Sequence, residues 1–184
     1  MAGRKVSNPL NDQRLDELAL RYVGRFATSR AKLRTYLARK LRERGWAGDG
    51  AADLDAVVAR LARLGYVDDQ GYALAKARAL TGRGYGERRV ADALRTAGID
   101  ADDGSAAREH ARTEAVAAAL RFAERRRIGP FATAPIDTPK ERERLLAAMV
   151  RAGHGFALSK AIVGLREARE LDLDALTELA GRFD

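Results

Sequence analysis

Three glycines, Gly45, Gly98 and Gly153, each follow a stretch of chain with the pattern of one and the same amphipathic helix. Apolar residues stand four and eight positions before each glycine, namely Leu41 and Leu37, Leu94 and Val90, and Met149 and Leu145. Glycine adopts the left-handed conformation at a helix C-terminus without strain, so each glycine is expected to end its helix. The separations of 53 and 55 residues predict a repeat array.

The composition favours helix throughout the 184 residues, because alanine and leucine dominate while isoleucine, threonine and aromatic residues are scarce. We therefore predict an all-α fold, a tandem array of three three-helix repeats that is elongated or curved. The expected divisions are a flexible tail at 1–13, repeats at 14–66, 67–112 and 113–169, and a C-terminal helix at 170–184.

Capping residues predict where several helices begin. Thr28 or Ser29 is expected to cap the first glycine-ended helix, and Thr138-Pro139-Lys140-Glu141 has the capping-box pattern before the third. The pairs Asp68-Asp69 and Asp102-Asp103 are interpreted as caps rather than as catalytic acids.

A helix from about Ser105 to Arg127 is expected to carry a break or slight bend. Residues 131–137 are predicted to be irregular, and two segments at about 157–169 and 173–182 to complete the chain.

Few residues are suited to catalysis or metal binding. The chain has no cysteine, and its two histidines, His110 and His154, lack carboxylates at ligand spacing. His154 follows Gly153, where a partly charged imidazole would favour the helix dipole. The glycines of segment 82–86 lie between predicted helices, which indicates a turn with an inserted Tyr85 rather than a nucleotide loop. No catalytic residue, metal or cofactor is therefore expected.

The net charge of +8 and the pI of about 10.2 favour an anionic partner such as nucleic acid or an acidic protein surface. The alternative explanation is that the positive charge reflects an arginine-rich proteome, in which many proteins are basic whatever they bind. The chain has neither a membrane-spanning apolar run nor a secretory signal, so we expect a cytoplasmic protein without membrane contact. We also expect it to be a monomer.

Basic residues concentrate on the first two glycine-ended helices, where they predict either a ridge that follows a long anion or simply a solvated face. Segment 30–44 has seven basic residues against Glu43, and segment 83–95 has four against Glu87 and Asp92. Aromatic residues lie nearby, and base stacking is one interpretation of them. For Trp46 and Tyr66, which directly follow glycines, packing back onto the helix is favoured.

Two segments resemble the core signature of the RecX family. One is Leu64-Gly65-Tyr66-Val67-Asp68-Asp69 followed by Tyr72-Ala73, and the other is Gly84-Tyr85-Gly86-Glu87-Arg88-Arg89-Val90 with Leu94 and Gly98-Ile99. Segments 29–33 and 37–46 and the run Arg125-Arg126-Arg127 also fit. The resemblance covers about residues 15–165. The third repeat departs from the family pattern, because extra residues precede Phe156 and segment 129–137 is lengthened.

The resemblance implies a non-enzymatic regulator that binds the RecA–DNA filament and mainly inhibits RecA recombinase, ATPase and coprotease activity in DNA repair and the SOS response. DNA, single- or double-stranded, would be a further partner of weak to moderate affinity. A general DNA-binding protein that competes for DNA, and a scaffold without a nucleic-acid role, are the alternatives. The expected contacts with RecA or DNA are Lys32, Arg34, Arg39, Lys40, Arg42, Arg83, Tyr85, Arg88, Arg89, Arg95, Arg125, Arg126, Lys140, Arg142 and Arg144.

Overall fold

A computed structural model of the chain describes residues 8–134, 138–167 and 170–181, and within these ranges the regular structure is helical. The all-α prediction is therefore confirmed. A 3-10 turn spans Gly129–Phe131. The α-helices are α1 Asp12–Val23, α2 Arg30–Arg44, α3 Leu54–Arg63, α4 Asp69–Gly82, α5 Glu87–Thr96, α6 Ser105–Thr113, α7 Ala115–Arg126, α8 Pro139–Arg151, α9 Phe156–Gly164 and α10 Leu173–Gly181.

Some predictions fall on residues outside these ranges. They concern positions 1–7 of the tail, Pro135–Asp137 of the irregular segment, Arg169 at the end of the penultimate segment, and Arg182 at the end of the last.

The chain divides into two compact units. Unit 1 comprises the residues up to Tyr72 together with Ala97–Ile99, and unit 2 comprises Ala73–Thr96 and the residues from Asp100 onwards. The three repeats predicted at 14–66, 67–112 and 113–169 stay a prediction.

Unit 1 buries the apolar faces of α1, α2 and α3 against one another. Its core is formed by Leu10, Leu15, Ala19, Leu33, Leu37, Val57, Val58, Leu61 and Val67. Unit 2 has its own core between α7, α8, α9 and α10. That core is formed by Ala119, Phe122, Ala123, Ile128, Met149, Ala152, Leu158, Ile162, Val163 and Leu176.

The three glycines end their helices as the sequence predicts. Gly45, Gly98 and Gly153 have φ angles of 81°, 67° and 97°, a region that residues with a side chain rarely adopt. The expected break between Ser105 and Arg127 is also present. It lies at Glu114, which separates α6 from α7.

The flexible tail predicted for residues 1–13 is wrong for residues 8–13. Leu10 is completely buried, its N–H donates to the Gly45 carbonyl at 2.9 Å, and its carbonyl accepts from the Ala47 N–H at 2.7 Å. Asn11 caps α1 by accepting from the Arg14 N–H. The reason is tertiary, because Leu10 supplies apolar surface that closes the core of unit 1.

Three of the predicted capping residues are confirmed, and the others differ from the prediction. Ser29 accepts from the Lys32 N–H and Thr138 from the Glu141 N–H, as expected. Asp68 accepts from the Gly71 N–H at 3.0 Å and so caps α4, as predicted. Its neighbour Asp69 is buried and instead accepts from the Arg30 N–H at 2.8 Å, at the start of α2. The N-cap position of α6 is occupied by Gly104, which has no side chain, rather than by Asp102 or Asp103.

The helices of the described residues are too short or too polar to cross a lipid bilayer.

Candidate functional site

Helix α2 carries five of the predicted contact residues, and three of them form ion pairs with two carboxylates. The Arg39 Nη1 lies 3.0 Å and the Lys40 Nζ 2.7 Å from the carboxylate of Glu43. The Arg34 Nε lies 2.6 Å from a carboxylate oxygen of Asp55. These contacts lower the pKa values of Glu43 and Asp55, chiefly through hydrogen bonds from Lys40 and Arg34 respectively.

The basic side chains of α2 do not share one face. At about 100° per residue, Arg34 and Arg39 point about 140° apart around the helix. The Lys32 Nζ lies 3.1 Å from the Tyr72 hydroxyl and 5.6 Å from the centre of its ring. Arg42 is exposed and has no ion pair within the described part of the chain. A continuous basic ridge along α2 is therefore interrupted by its own ion pairs.

In unit 2, the loop before α5 packs backbone to backbone against the end of α8. The Gly86 N–H donates to the Ala152 carbonyl at 3.0 Å, and the Arg88 N–H donates to the Gly153 carbonyl at 3.1 Å. A Cβ atom on Gly86 would lie 2.3 Å from the Gly153 carbonyl oxygen. This close approach needs glycine at position 86, and it fixes the place of Tyr85 beside α7 and α8.

A groove of about 540 Å³ lies beside Tyr85 and is bordered mainly by α7 and α8. We call it the arginine–aromatic groove. No acidic residue of the described chain lines it. Its lining consists of Tyr85, Phe122, Arg125, Arg126, Ile128, Arg144, Leu145, Ala148, Arg151 and Ala152.

Aromatic rings hold several guanidinium groups at this groove. The Cζ atoms of Arg83 and Arg89 lie 5.6 and 5.9 Å from the centre of the Tyr85 ring. Those of Arg125 and Arg126 lie 5.6 and 5.8 Å from the centre of Phe122. The attraction between a cation and an aromatic face orients each guanidinium without neutralising it.

Arg125 is fixed further, because its Nη1 donates to the carbonyl of Arg83. Guanidinium groups held in this way retain N–H donors in a planar fork that matches phosphate or carboxylate oxygens. The groove is therefore chemically suited to bind an anion.

His154 is buried beside Phe122 and hydrogen-bonds the residue that precedes Tyr85. Its Nε2 is 3.1 Å from the Gly84 carbonyl, which can only accept, so the ring donates this hydrogen bond. Its ring centre lies 5.6 Å from that of Phe122. Burial lowers its pKa to about 4, so the imidazole is neutral at pH 7. The predicted charged imidazole that favours the α8 dipole is therefore wrong.

The structure brings six of the predicted contact residues to the groove or to its two rings. They are Arg83, Tyr85, Arg89, Arg125, Arg126 and Arg144. It also adds Arg151, which the sequence reasoning missed. The available signal was its spacing, since Arg144 and Arg151 are two helical turns apart and so lie on the same side of α8.

Four predicted contact residues in unit 2 neither line the groove nor lie over its two aromatic rings. Arg95 pairs with Asp92 at 2.6 Å, and Arg88, Lys140 and Arg142 also lie outside the lining. Their contact with RecA or DNA stays a prediction.

The two aromatic residues that follow glycines in unit 1 differ in the structure. Trp46 packs against the core of unit 1, which confirms the favoured interpretation for it. Tyr66 is 56% exposed and is not among the residues that pack against that core, so the same interpretation stays a prediction there. The sequence pattern after Gly65 does not distinguish the two cases.

Comparison with known proteins identifies relatives along most of the chain. The regulatory protein RecX of Myxococcus xanthus (strain DK1622) is 32% identical over 169 residues, which are 88% of this chain and 90% of that protein. The regulatory protein RecX of Mycobacteroides abscessus is 37% identical over 93 residues, which are 50% of this chain and 44% of that protein. No protein-family model matches the chain.

Solved structures show the same fold. The crystal structure of RecX from Lactobacillus salivarius superimposes with a TM-score of 0.58 over 82% of this chain and 93% of that chain, at 17% identity. A second crystal structure of a regulatory protein RecX gives a TM-score of 0.57 at 16% identity, over 82% of this chain and 70% of that chain. At this level of identity the structural likeness concerns the fold.

Proposed function

This chain belongs to the RecX family, and from that premise we propose that it is a non-enzymatic regulator that binds the RecA–DNA filament. In this role it mainly inhibits the recombinase, ATPase and coprotease activities of RecA during DNA repair and the SOS response. The observation that carries the proposal is the 32% identity to a regulatory protein RecX over 88% of the chain.

The arrangement of charge supports an anionic partner for the chain. Four arginines line the arginine–aromatic groove, and aromatic rings rather than carboxylates orient two of them. DNA phosphates and an acidic protein surface are both ligands for such a groove, and a RecA–DNA filament contains phosphates.

The use of His154 supports a binding role rather than a catalytic one. It is buried and neutral, and it hydrogen-bonds the Gly84 carbonyl, so this histidine serves packing within unit 2. The relatives are likewise named regulatory proteins. We therefore propose that the chain acts by binding, in the cytoplasm where RecA works.

Addition of the purified chain to RecA assembled on single-stranded DNA tests this function. We expect both the rate of ATP hydrolysis and the rate of LexA cleavage to fall at doses at or below one copy per RecA. If neither rate changes in this dose range, the proposed function is wrong.

The second candidate is a general DNA-binding protein that inhibits RecA only by competing for DNA, and the uncompensated arginines of the groove favour it. Charge reversal at Arg39, Lys40 and Arg42 separates the two candidates. If the protein only competes for DNA, its inhibition of RecA should fall in proportion to its affinity for DNA. If it binds the filament, either the inhibition of RecA or the affinity for DNA can fall without the other. Measured DNA affinity with a steep salt dependence would also eliminate a scaffold without a nucleic-acid role.

A further inference from the structure

We propose that the arginine–aromatic groove of unit 2 binds the phosphate backbone of a single DNA strand, and that Arg126, Arg144 and Arg151 make the contacts. The inference rests on the proposed function in one respect, because it assigns the DNA contact of that function to a site. Arg151 joins the predicted contact residues on structural grounds alone.

The charges of these three arginines are available to a ligand. Each is exposed, and none has a carboxylate partner within the described residues. This distinguishes them from Arg34, Arg39 and Lys40 of α2, which are already paired. An incoming phosphate therefore does not have to displace an internal carboxylate from the groove.

The spacing of the arginines favours a ligand with repeated negative charge. Arg144 and Arg151 lie seven residues apart, or about 10 Å along α8. A nucleic-acid strand places successive phosphates at intervals shorter than this, so one strand reaches both arginines. A single isolated phosphate would reach only one of them.

The lining of the groove favours a single strand over a duplex. Tyr85 lines it beside the arginines, and a basic groove with an aromatic ring is the combination that binds single strands. The bases of a single strand are free to stack on such a ring, whereas those of a duplex are already stacked and paired. The floor includes the apolar residues Ile128, Leu145 and Ala148, which offer no side-chain hydrogen bonds for reading bases. Binding is therefore independent of sequence.

The test measures binding of the full chain to a fluorescently labelled oligo-dT by anisotropy over a series of salt concentrations. The groove variant replaces Arg126, Arg144 and Arg151 with glutamine. Its matched control replaces Arg21, Arg25 and Arg63 of unit 1 with glutamine, which removes the same charge from exposed positions. Thermal unfolding of each variant checks that the fold is retained.

We expect the groove variant to bind oligo-dT at least tenfold more weakly than the wild type at low salt. The slope of log affinity against log salt should decrease by about 2, since each phosphate contact on a single strand contributes about 0.7. The control should keep most of the slope, and the wild-type chain should prefer oligo-dT to a duplex of equal length.

Equal losses of oligo-dT affinity in the groove variant and the control would overturn the inference, because binding would then depend only on the net charge of the protein. A second variant with lysine at the same three positions keeps the charge, and it should retain the salt slope even if the glutamine variant unfolds. Loss of slope in the folded lysine variant would also count against phosphate binding.

The failure of this inference is distinguishable from failure of the proposed function. If the groove variant keeps its oligo-dT affinity but no longer inhibits RecA, the groove binds an acidic protein surface and only the inference fails. If oligo-dT binding depends on the groove while the wild type leaves RecA unchanged, the proposed function fails and the inference stands.

Discussion

The Nε2 atom of His154 donates a hydrogen bond of 3.1 Å to the carbonyl oxygen of Gly84. This contact joins the residue after the Gly153 turn to the loop that carries Tyr85. Since the His154 ring also packs against Phe122, one buried side chain supports both aromatic residues of the arginine–aromatic groove. The geometry of the groove therefore depends on a neutral imidazole.

The stability of unit 2 should depend on pH through His154. Its pKa is about 4 in the folded chain against 6.5 in the unfolded chain. Between these pH values the unfolded state binds more protons than the folded state. The contribution of neutral His154 to the free energy of unfolding is therefore complete above pH 6.5 and is lost as the pH falls towards 4. The loss should approach about 3 kcal/mol. Urea unfolding at several pH values measures it.

The control for this pH dependence is His154→Gln, which keeps a hydrogen-bond donor but cannot be protonated. Its stability should be lower at pH 7 and should change less between pH 6.5 and 4 than that of the wild type. An identical pH profile for both proteins would mean that His154 is not the group responsible.

The close contact between Gly86 and the end of α8 should make position 86 intolerant of a side chain. In Gly86→Ala the new Cβ would meet the Gly153 carbonyl at 2.3 Å. We expect a loss of about 1–3 kcal/mol, as for other overpacked sites. Thermal unfolding followed by circular dichroism measures the change.

Gly82→Ala is the matched substitution for position 86. Gly82 ends α4 and a Cβ there would have open space, so alanine should be neutral or stabilising by up to about 1 kcal/mol. Equal effects at positions 82 and 86 would show that the loop does not pack closely on α8.

Leu10 should contribute to the stability of unit 1 even though it lies in the segment predicted to be a tail. It is fully buried, so Leu10→Ala should lower the free energy of unfolding by about 2–5 kcal/mol. Trp46, the only tryptophan of the chain, lies beside Leu10 and reports the transition by fluorescence. Leu20→Ala, at a side chain that is 44% exposed, should change stability far less. A small change in the free energy of unfolding of Leu10→Ala would instead support the prediction of a flexible tail.

Removal of the Glu43 charge should reveal whether α2 contacts the anionic partner. Glu43→Gln releases both Arg39 and Lys40 from their ion pairs. If these residues face DNA phosphates, affinity for DNA should rise and the salt slope should steepen by about 1. Anisotropy of labelled DNA measures both.

Asp16→Asn is the corresponding control, because it changes net charge equally and releases Arg60, which is outside the predicted contact residues. The affinity for DNA should rise less in this variant. An equal rise in the two variants would indicate a general effect of charge and would remove α2 from the interface.

Local signals in the sequence were sufficient for the helical fold class and for several helix ends. The positive φ angles of Gly45, Gly98 and Gly153 follow from the pattern of apolar residues before each glycine, and the caps at Ser29 and Thr138 follow from residue type. These features depend on neighbours within about one helical turn.

Contacts between distant segments were not predictable in this way. Asp69 accepts a hydrogen bond at the start of α2 because the fold places it at the Arg30 N–H, thirty-nine residues away. His154 is neutral because of burial, and Leu10 is buried because the fold places it in the core of unit 1. The groove itself unites Tyr85 with arginines of α7 and α8, and no local spacing relates these three segments.

The most direct test of filament binding is co-sedimentation of the chain with preassembled RecA filaments in the presence of excess free single-stranded DNA. If the chain binds the RecA–DNA filament as proposed, it sediments with the filaments and the free DNA displaces only a small fraction. If the free DNA moves the chain into the supernatant in proportion to its concentration, the chain binds DNA alone and the account is contradicted.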